Sequence, residues 1–300
     1  MGQANGVVAV TGASGRLGGR LALRLAAEGA RQRLVVRDPA RAPRLADGSA
    51  LPQAEVVVAG SYADGEAMRR AFDGARTVLL VSGREEPGRV EQHRSAVDAA
   101  VAAGVERIVY TSFVGAAEDA VFTFARDHWH TEQHVRHSGL RWTFLRDNLY
   151  HHALTTFVGP DDVIRGPAGD GRVASVSHDD VADVATAVLL DERPRAHDGR
   201  TYELTGPRSH TLHEVAEVLS RLTGRTIRYE PESLEEAYAS RAGYDVDPAV
   251  VEGWVTSYAA IAAGDLARVS DDVPHLVGRP ARGFEEWLDD YPDQWAHLLR

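Results

Sequence analysis

Three glycines, Gly12, Gly15 and Gly18, follow at a spacing of three directly after the apolar run Val7-Val8-Ala9-Val10. Leu17, Leu21 and Leu25 then recur every fourth residue, the period of one helix face. Strand, glycine-rich turn and helix in that order aim backbone N–H groups and the positive end of the helix at an anion. A Cβ in the turn would obstruct a diphosphate, or the strand on which the helix packs. Thr11, Gly12, Ser14, Gly15, Arg16, Leu17 and Gly18 are therefore candidate contacts to a dinucleotide. The spacing is G-x-x-G-x-x-G, not the commoner G-x-G-x-x-G.

Arg37 stands 19 residues after Gly18, at the end of the next apolar run. An acidic residue here holds a ribose 2′-hydroxyl, whereas an arginine accommodates a 2′-phosphate. Asp38 is the rival, and would make the cofactor NAD. Pro39 follows it, so Asp38 reads better as a helix cap. The balance favours NADPH over NADH, with Arg41 as a second phosphate contact. Further on, Val81-Ser82-Gly83 and Thr111-Ser112-Phe113 end two strands. Carboxyl ends of strands face the ligand crevice in open α/β sheets. Ser112 is placed to bond a carbonyl and Phe113 to wall a nicotinamide; Ser82 and Ser112 equally suit turn or capping roles.

The elements that must position these residues alternate. Strands are expected over Leu34–Arg37, Glu55–Ala59, Thr77–Val81, Arg107–Thr111 and Arg141–Leu145. Helices are expected over Asp64–Phe72, over Gly88–Ala103 with Val90, Val97 and Val101 inward, and over Arg126–His137. This rhythm predicts an α/β, Rossmann-type doubly wound parallel sheet. Residues 1–150 form the dinucleotide-binding part, and 151–300 are mainly a smaller substrate lobe. The sheet is expected to be completed from within about 173–206. His178-Asp179-Asp180 opens a helix, and Thr211-Leu212-His213-Glu214 is a capping box. Residues 232–264 look helical.

Composition narrows the function. A net charge of −11 disfavours nucleic acid, which needs a basic face. No cysteine is present, which excludes thiol nucleophiles and thiolate-bound metals. No run approaches a membrane span and no signal peptide is evident, so the expectation is a cytoplasmic protein. All 33 basic residues are arginine, which removes Schiff-base and P-loop lysine chemistry. His130, His134 and His137 share a helix face, but without the H-E-x-x-H order; no metal is expected.

From Thr11–Gly18 through Val36-Arg37-Asp38-Pro39, Leu80-Val81-Ser82-Gly83, Ile108–Phe113, Arg126-Asp127-His128, Ser138-Gly139-Leu140 and Val269–Pro274, the chain resembles the NmrA-like atypical short-chain dehydrogenases. The likeness is greatest to their NADPH-dependent quinone oxidoreductase branch. It implies hydride transfer from NADPH to a flat, electron-poor small molecule such as a quinone, and allows a homodimer. The alternative is a non-catalytic, dinucleotide-binding redox sensor. Short-chain dehydrogenases carry Tyr-x-x-x-Lys where this chain has Phe124-Ala125-Arg126-Asp127-His128. The resemblance thus makes His128 a candidate for the ribose hydroxyls or for proton donation. Tyr150, just past the sixth strand, is a further candidate, and Ser61 replaces an acidic residue common near the adenine.

Overall fold

A computed structural model describes residues 6–193 and 195–299. Six strands arrive in turn: β1 (Val7–Val10), β2 (Gln32–Val36), β3 (Ala54–Val58), β4 (Ala75–Leu80), β5 (Arg107–Phe113) and β6 (Arg141–Asp147). β7 (Val163–Gly166) and β8 (Arg172–Val173) lie outside the main sheet, and β9 (Arg200–Leu204) closes it. The order is β3-β2-β1-β4-β5-β6-β9, parallel throughout. The order reverses between β1 and β4, so the crevice opens above the carboxyl ends of these strands. β10 (His210–Thr211) pairs with β8, and β11 (Arg228–Pro231) with β7. The doubly wound fold expected from the alternation is the fold found.

Helices cover both faces. They are α1 (Arg16–Ala27), α2 (Gly65–Phe72), α3 (Arg89–Ala102), α4 (Thr123–His137), α5 (His151–Thr156) and α6 (His178–Leu190). The remainder are α7 (Leu212–Thr223), α8 (Leu234–Arg241), α9 (Pro248–Ala263), α10 (Asp272–Val277) and α11 (Phe284–Asp290). Alternation along β1 sends Val8 and Val10 to one layer and Ala9 to the other. The first layer receives Leu17, Leu21 and Leu25 of α1 with Val181, Val184 and Val188 of α6. The second receives Met68, Phe72, Val97 and Val135 from α2, α3 and α4. A third core, around Leu219, Tyr258, Phe284 and Trp287, holds the carboxyl-terminal lobe together. Among the described residues no helix is long and apolar enough to cross a membrane.

Three features of the helices differ from the sequence pattern. Asp38 does cap, accepting from the Ala40 N–H at 2.9 Å, but only a single 3-10 turn follows, Pro39–Arg41. The 232–264 stretch divides into α8 and α9. On α3, Val97 is buried as expected but Val101 is 44% exposed, and the buried face is completed by Arg89, His93, Ala96, Ala99 and Ala100. The stripe is offset because α3 turns two polar side chains inward near its amino end.

The boundary near residue 150 is crossed twice. β9 lies beside β6 in the main sheet, and α6 packs on α1. Arg20 Nε meets Asp179 Oδ2 at 3.0 Å, Arg24 Nη2 meets Asp179 Oδ1 at 2.8 Å, and Arg24 also bonds Asp183. The glycine-turn helix is thus pinned by a helix from the second half of the chain.

One tight point of the fold is where α1 leaves β1. A Cβ on Gly18 would lie 2.3 Å from the Gly12 carbonyl oxygen, which is backbone and cannot yield. Gly18→Ala is therefore expected to destabilise the protein by about 1–3 kcal/mol, the usual cost of overpacking. Urea denaturation checks this; an unchanged midpoint would show that the turn can relax.

Candidate functional site

The glycine turn opens onto a cleft of about 420 Å³, within the usual size range of small-molecule sites. Gly12, Ser14 and Gly15 line it from the turn, and Val81, Ser82 and Gly83 from the end of β4. Gly12 adopts φ +58°, in the left-handed region, and Gly15 is the N-cap of α1 without any side-chain cap. The first N–H groups of α1 are thus free to serve an anion. Arg37 and Arg41 stand on the cleft rim; both are exposed, and among the described residues neither has an ion-pair partner. Ser61 also lines the cleft, beside Tyr62 and Met68.

Several of the sequence candidates support this wall from behind. Leu17 and Gly18 are buried under the turn. Thr11 is fully buried: its hydroxyl donates to the Leu79 carbonyl at 3.2 Å and accepts from the Val81 N–H at 2.9 Å. Thr111 Oγ1 accepts from the Ser82 N–H at 2.8 Å. These two threonines tie the end of β4 to β1 on one side and to β5 on the other. Arg16 points away along the surface, its Nη1 donating to Gln294 Oε1 at 2.7 Å. Tyr62 gave no signal in the sequence. Its hydroxyl lies 2.7 Å from both Thr11 Oγ1 and the Val81 carbonyl, and burial pushes its pKa up to about 12.

Behind the β4 loop runs a chain of bonds whose directions fix the proton positions. The Gly83 N–H donates to His93 Nε2 at 2.8 Å, so the His93 proton is on Nδ1. That nitrogen meets Thr131 Oγ1 at 2.9 Å, and the Thr131 hydroxyl donates to the Asp127 carbonyl at 2.8 Å. Burial, aided by Arg89, holds the His93 pKa down to about 3.

His128 is built the same way. A guanidinium only donates, so Arg89 Nη2, 2.9 Å from His128 Nε2, leaves the His128 proton on Nδ1. Nδ1 in turn meets the Tyr110 hydroxyl at 2.9 Å. Burial first, then the Arg89 charge, holds the His128 pKa well below its ordinary value. With both nitrogens engaged and the ring neutral, His128 has no proton to give and no free nitrogen for a ribose hydroxyl while Arg89 stays in place. Phe113 packs against it, ring centroids 6.1 Å apart, and against Phe122 at 5.1 Å.

Arg89 is the residue that sequence reasoning passed over. It is only 3% exposed, among the described residues its Nε and Nη1 have no hydrogen-bond partner, and the nearest carboxylate oxygen there, Asp127 Oδ2, is 3.9 Å from Nη1. Each buried donor left unbonded costs about 1–3 kcal/mol. No periodicity rule marks an arginine at a helix start as buried, and only the polar companion His93 one turn on hints at it.

Ser112 does not stand in the cleft. It is fully buried and donates to Glu132 Oε1 at 2.7 Å, and Glu132 is gripped by Arg146 Nε at 2.8 Å and Nη2 at 2.7 Å. Its hydroxyl proton is committed to a carboxylate and is not available to a carbonyl. Tyr150 is half-buried, stacks on His178 with centroids 3.7 Å apart, and donates to the Asp147 carboxylate. Burial raises the Asp147 pKa to about 7, against the opposing effects of the Tyr150 bond and the Arg89 charge. Of the histidines on α4, His134 meets Asp98 at 2.7 Å and His137 the Gln133 carbonyl at 2.7 Å.

These burials set an acid limit on the fold. Folded pKa values are depressed to about 3 for His93 and His178 and about 4 for His151, and His128 is lower than normal too, all chiefly by burial. Unfolded histidine titrates near pH 6.5, so below that the unfolded chain binds protons that the folded one refuses. Each such histidine removes about 1.4 kcal/mol per pH unit as pH falls from about 6.5 toward its folded pKa. Asp147 acts oppositely, because its raised pKa favours the fold as pH falls below about 7. Burial raises Glu85 and Asp127 as well, but it also lowers His152, His197 and His210, so the depressed histidines outnumber the raised acids and the net is a loss: the urea midpoint is expected to drop between about pH 6.5 and 4.5. A flat midpoint across that interval would contradict the neutral, buried assignment.

The NmrA-like family matches residues 4–247 of this chain. A (4-alkanoyl-5-oxo-2,5-dihydrofuran-3-yl)methyl phosphate reductase of Streptomyces griseus subsp. griseus is 35% identical over 295 residues, covering 97% of this chain and 99% of its own. Quinone oxidoreductase 2 of Escherichia coli is 30% identical over 286 residues, covering 93% and 96%. The crystal structure of the NADPH-dependent quinone oxidoreductase from Escherichia coli complexed with NADPH superposes with a TM-score of 0.82 at 29% identity, over 94% of this chain and 99% of that one. The glycine-turn cleft and the seven-stranded parallel sheet agree with these likenesses over nearly the whole chain: it belongs to the NmrA-like family.

Proposed function

We propose that this chain is an oxidoreductase that binds NADPH in the glycine-turn cleft and reduces a flat, conjugated ring carbonyl compound of the quinone type. The observation that carries the reading is the cleft itself: an uncapped helix N-terminus at one point, and on its rim two exposed arginines with no ion-pair partner among the described residues. The donor set fits the cofactor. Gly12 and Gly18 keep the turn clear of side chains, and Arg37 and Arg41 supply positive charge where a 2′-phosphate needs it. Both relatives act on rings bearing oxo groups, as their names print, and the solved relative holds NADPH.

Bound NADPH supplies a hydride. The work left to the protein is to hold and orient it, to exclude water and to tolerate charge on the acceptor. The uncapped α1 N-terminus would hold the diphosphate. Val81 and Gly83 wall the cleft at the ends of the central strands, with Tyr62 fixing the Val81 carbonyl. Phe113, Phe122 and Phe124 are buried in the lobe core and pack ring against ring beside His128. A quinone suits such a site because its reduced anion is stabilised by its own ring. A simple ketone gives a basic alkoxide that demands a proton at once, and neutral His128 has none to offer. A cytoplasmic site of action accords with an electron donor kept reduced there.

The test is NADPH consumption with a panel of quinones and simple ketones. Turnover with quinones and little with ketones is expected; the reverse order would overturn the reading. Arg37→Ala is expected to weaken NADPH binding roughly 10- to 150-fold, the worth of one charge-assisted hydrogen bond, while leaving NADH binding nearly unchanged. Calorimetry with both cofactors measures this, and equal losses for the two would place the 2′-phosphate elsewhere. Gly15→Val, at the exposed N-cap of α1, is expected to leave a folded protein with no measurable NADPH affinity, since a branched side chain would cover the free N–H groups.

A further inference from the structure

Beside the cofactor cleft lies a second cavity of about 320 Å³, and Glu86 lines both. Arg89, Phe124 and Asp127 line it from α3 and α4, and Ala249 and Glu252 from α9. Its inner charge is Arg89, with Nη2 on His128 and, among the described residues, Nε and Nη1 unbonded, the guanidinium carbon 5.9 Å from the Phe124 ring centroid. The amino end of α3 opens here too. Its N-cap is Gly88, in the left-handed conformation at φ +80°, and no side chain caps it. A buried guanidinium with unbonded donors and an uncapped helix N-terminus converge on one place, and both call for a negative oxygen.

We infer that this cavity is the acceptor subsite, and that Arg89 receives the acceptor oxygen on which negative charge develops. The inference rests on the reductase reading above and narrows it to acceptors whose oxygen becomes an enolate or phenolate. When such a ring gains a hydride it takes up two electrons, the dihydronicotinamide being oxidised to nicotinamide. The electron pair of the acceptor C=O or conjugated C=C moves onto the oxygen, and a solvent proton later neutralises it. The rim explains why the charge must arise in place. Glu86, Glu91, Asp127 and Glu252 surround the cavity, against Arg94 and His130. Four carboxylates disfavour a ligand that arrives as a multiply charged anion, such as a free phosphate. A neutral ring passes them and becomes charged only beside Arg89. Arginine suits the task because it keeps its charge where a lysine would lose it on burial. His128 fixes one edge of the guanidinium and leaves Nε and Nη1 for the ligand, so it is a positioning residue.

The experiment uses the full chain, with and without NADP+, and 4-nitrophenol as the probe, a flat ring whose phenolate is read by its visible absorbance. The native protein is expected to bind the phenolate at least about tenfold more tightly than the phenol, so that the bound dye ionises at a lower pH, as an opposite charge at close range dictates. Arg89→Gln is expected to bind both forms alike, and Arg89→Lys to keep part of the preference. NADPH affinity is expected to be the same in all three, and thermal melting shows whether each is folded. Quinone turnover at saturating NADPH is expected to fall roughly 10²- to 10³-fold in Arg89→Gln, the usual loss when an oxyanion donor is removed. An unshifted dye in the native protein, an equal shift in Arg89→Gln, or a loss of NADPH affinity in that variant would each overturn the assignment. A native protein that passes the dye titration yet oxidises no NADPH with any quinone would leave the oxyanion site standing and remove the quinone reading instead.

Discussion

The contact on which the rest depends is the approach of α1 to the end of β1. Two backbone segments meet there with no side chain between them, because Gly18 sits against the Gly12 carbonyl. That closeness points the α1 N-terminus into the crevice and lets Leu17, Leu21 and Leu25 reach the sheet. It also lets Arg20 and Arg24 reach Asp179 on α6. The cofactor cleft is therefore held from two directions. β1 and β4 set its floor, and the helix that forms its rim is clamped by a part of the chain more than 150 residues later.

At the other end of the crevice, buried polar groups replace what a tyrosine–lysine pair does elsewhere. Phe124 brings no hydroxyl, and no lysine exists in the chain to grip a ribose or to tune a phenol. In their place stand two neutral histidines whose tautomers are fixed by one-way donors: the Gly83 N–H for His93 and the Arg89 guanidinium for His128. Such a network has little freedom, since reversing one bond leaves two donors or two acceptors facing each other. It provides orientation and permanent charge rather than a movable proton.

How much of this was legible in the sequence differs by layer. The glycine triplet and leucine period marked the turn and α1 because both follow from backbone geometry. The alternation of elements gave the parallel sheet, and Thr211 with Glu214 forms the capping box its spacing implies. Side-chain destinations were less legible. Ser112 sits at the right end of the right strand, yet strand alternation turns it to Glu132, and nothing in a strand sequence says which face meets the ligand. Thr11 and Thr111 lie within the ligand motifs but spend their hydroxyls on joining strands. Arg89 was hidden because the α3 stripe was read from its valines, whereas the buried face is carried at one end by polar residues. A burial pattern that breaks the hydrophobic period at one end of a helix is itself a sign of function, since an unbonded buried cation is kept only where something repays it.

The all-arginine composition then has a consequence for the site. A buried lysine would lose its proton and its charge, and a site built on it would switch with pH. Arginine side chains keep their charge in proteins, so a site built on one lacks such a switch. The groups around it that do titrate are biased toward neutrality. His93 and His128 are held unprotonated, and Asp147, with its pKa raised to about 7, is partly protonated near neutrality. Neutral histidines put no competing cation on the inner side of the guanidinium, which favours stabilisation of an oxyanion there. The same arrangement explains why two buried histidines are tolerated beside Arg89: protonated rings would repel its charge, whereas neutral His128 accepts from its Nη2.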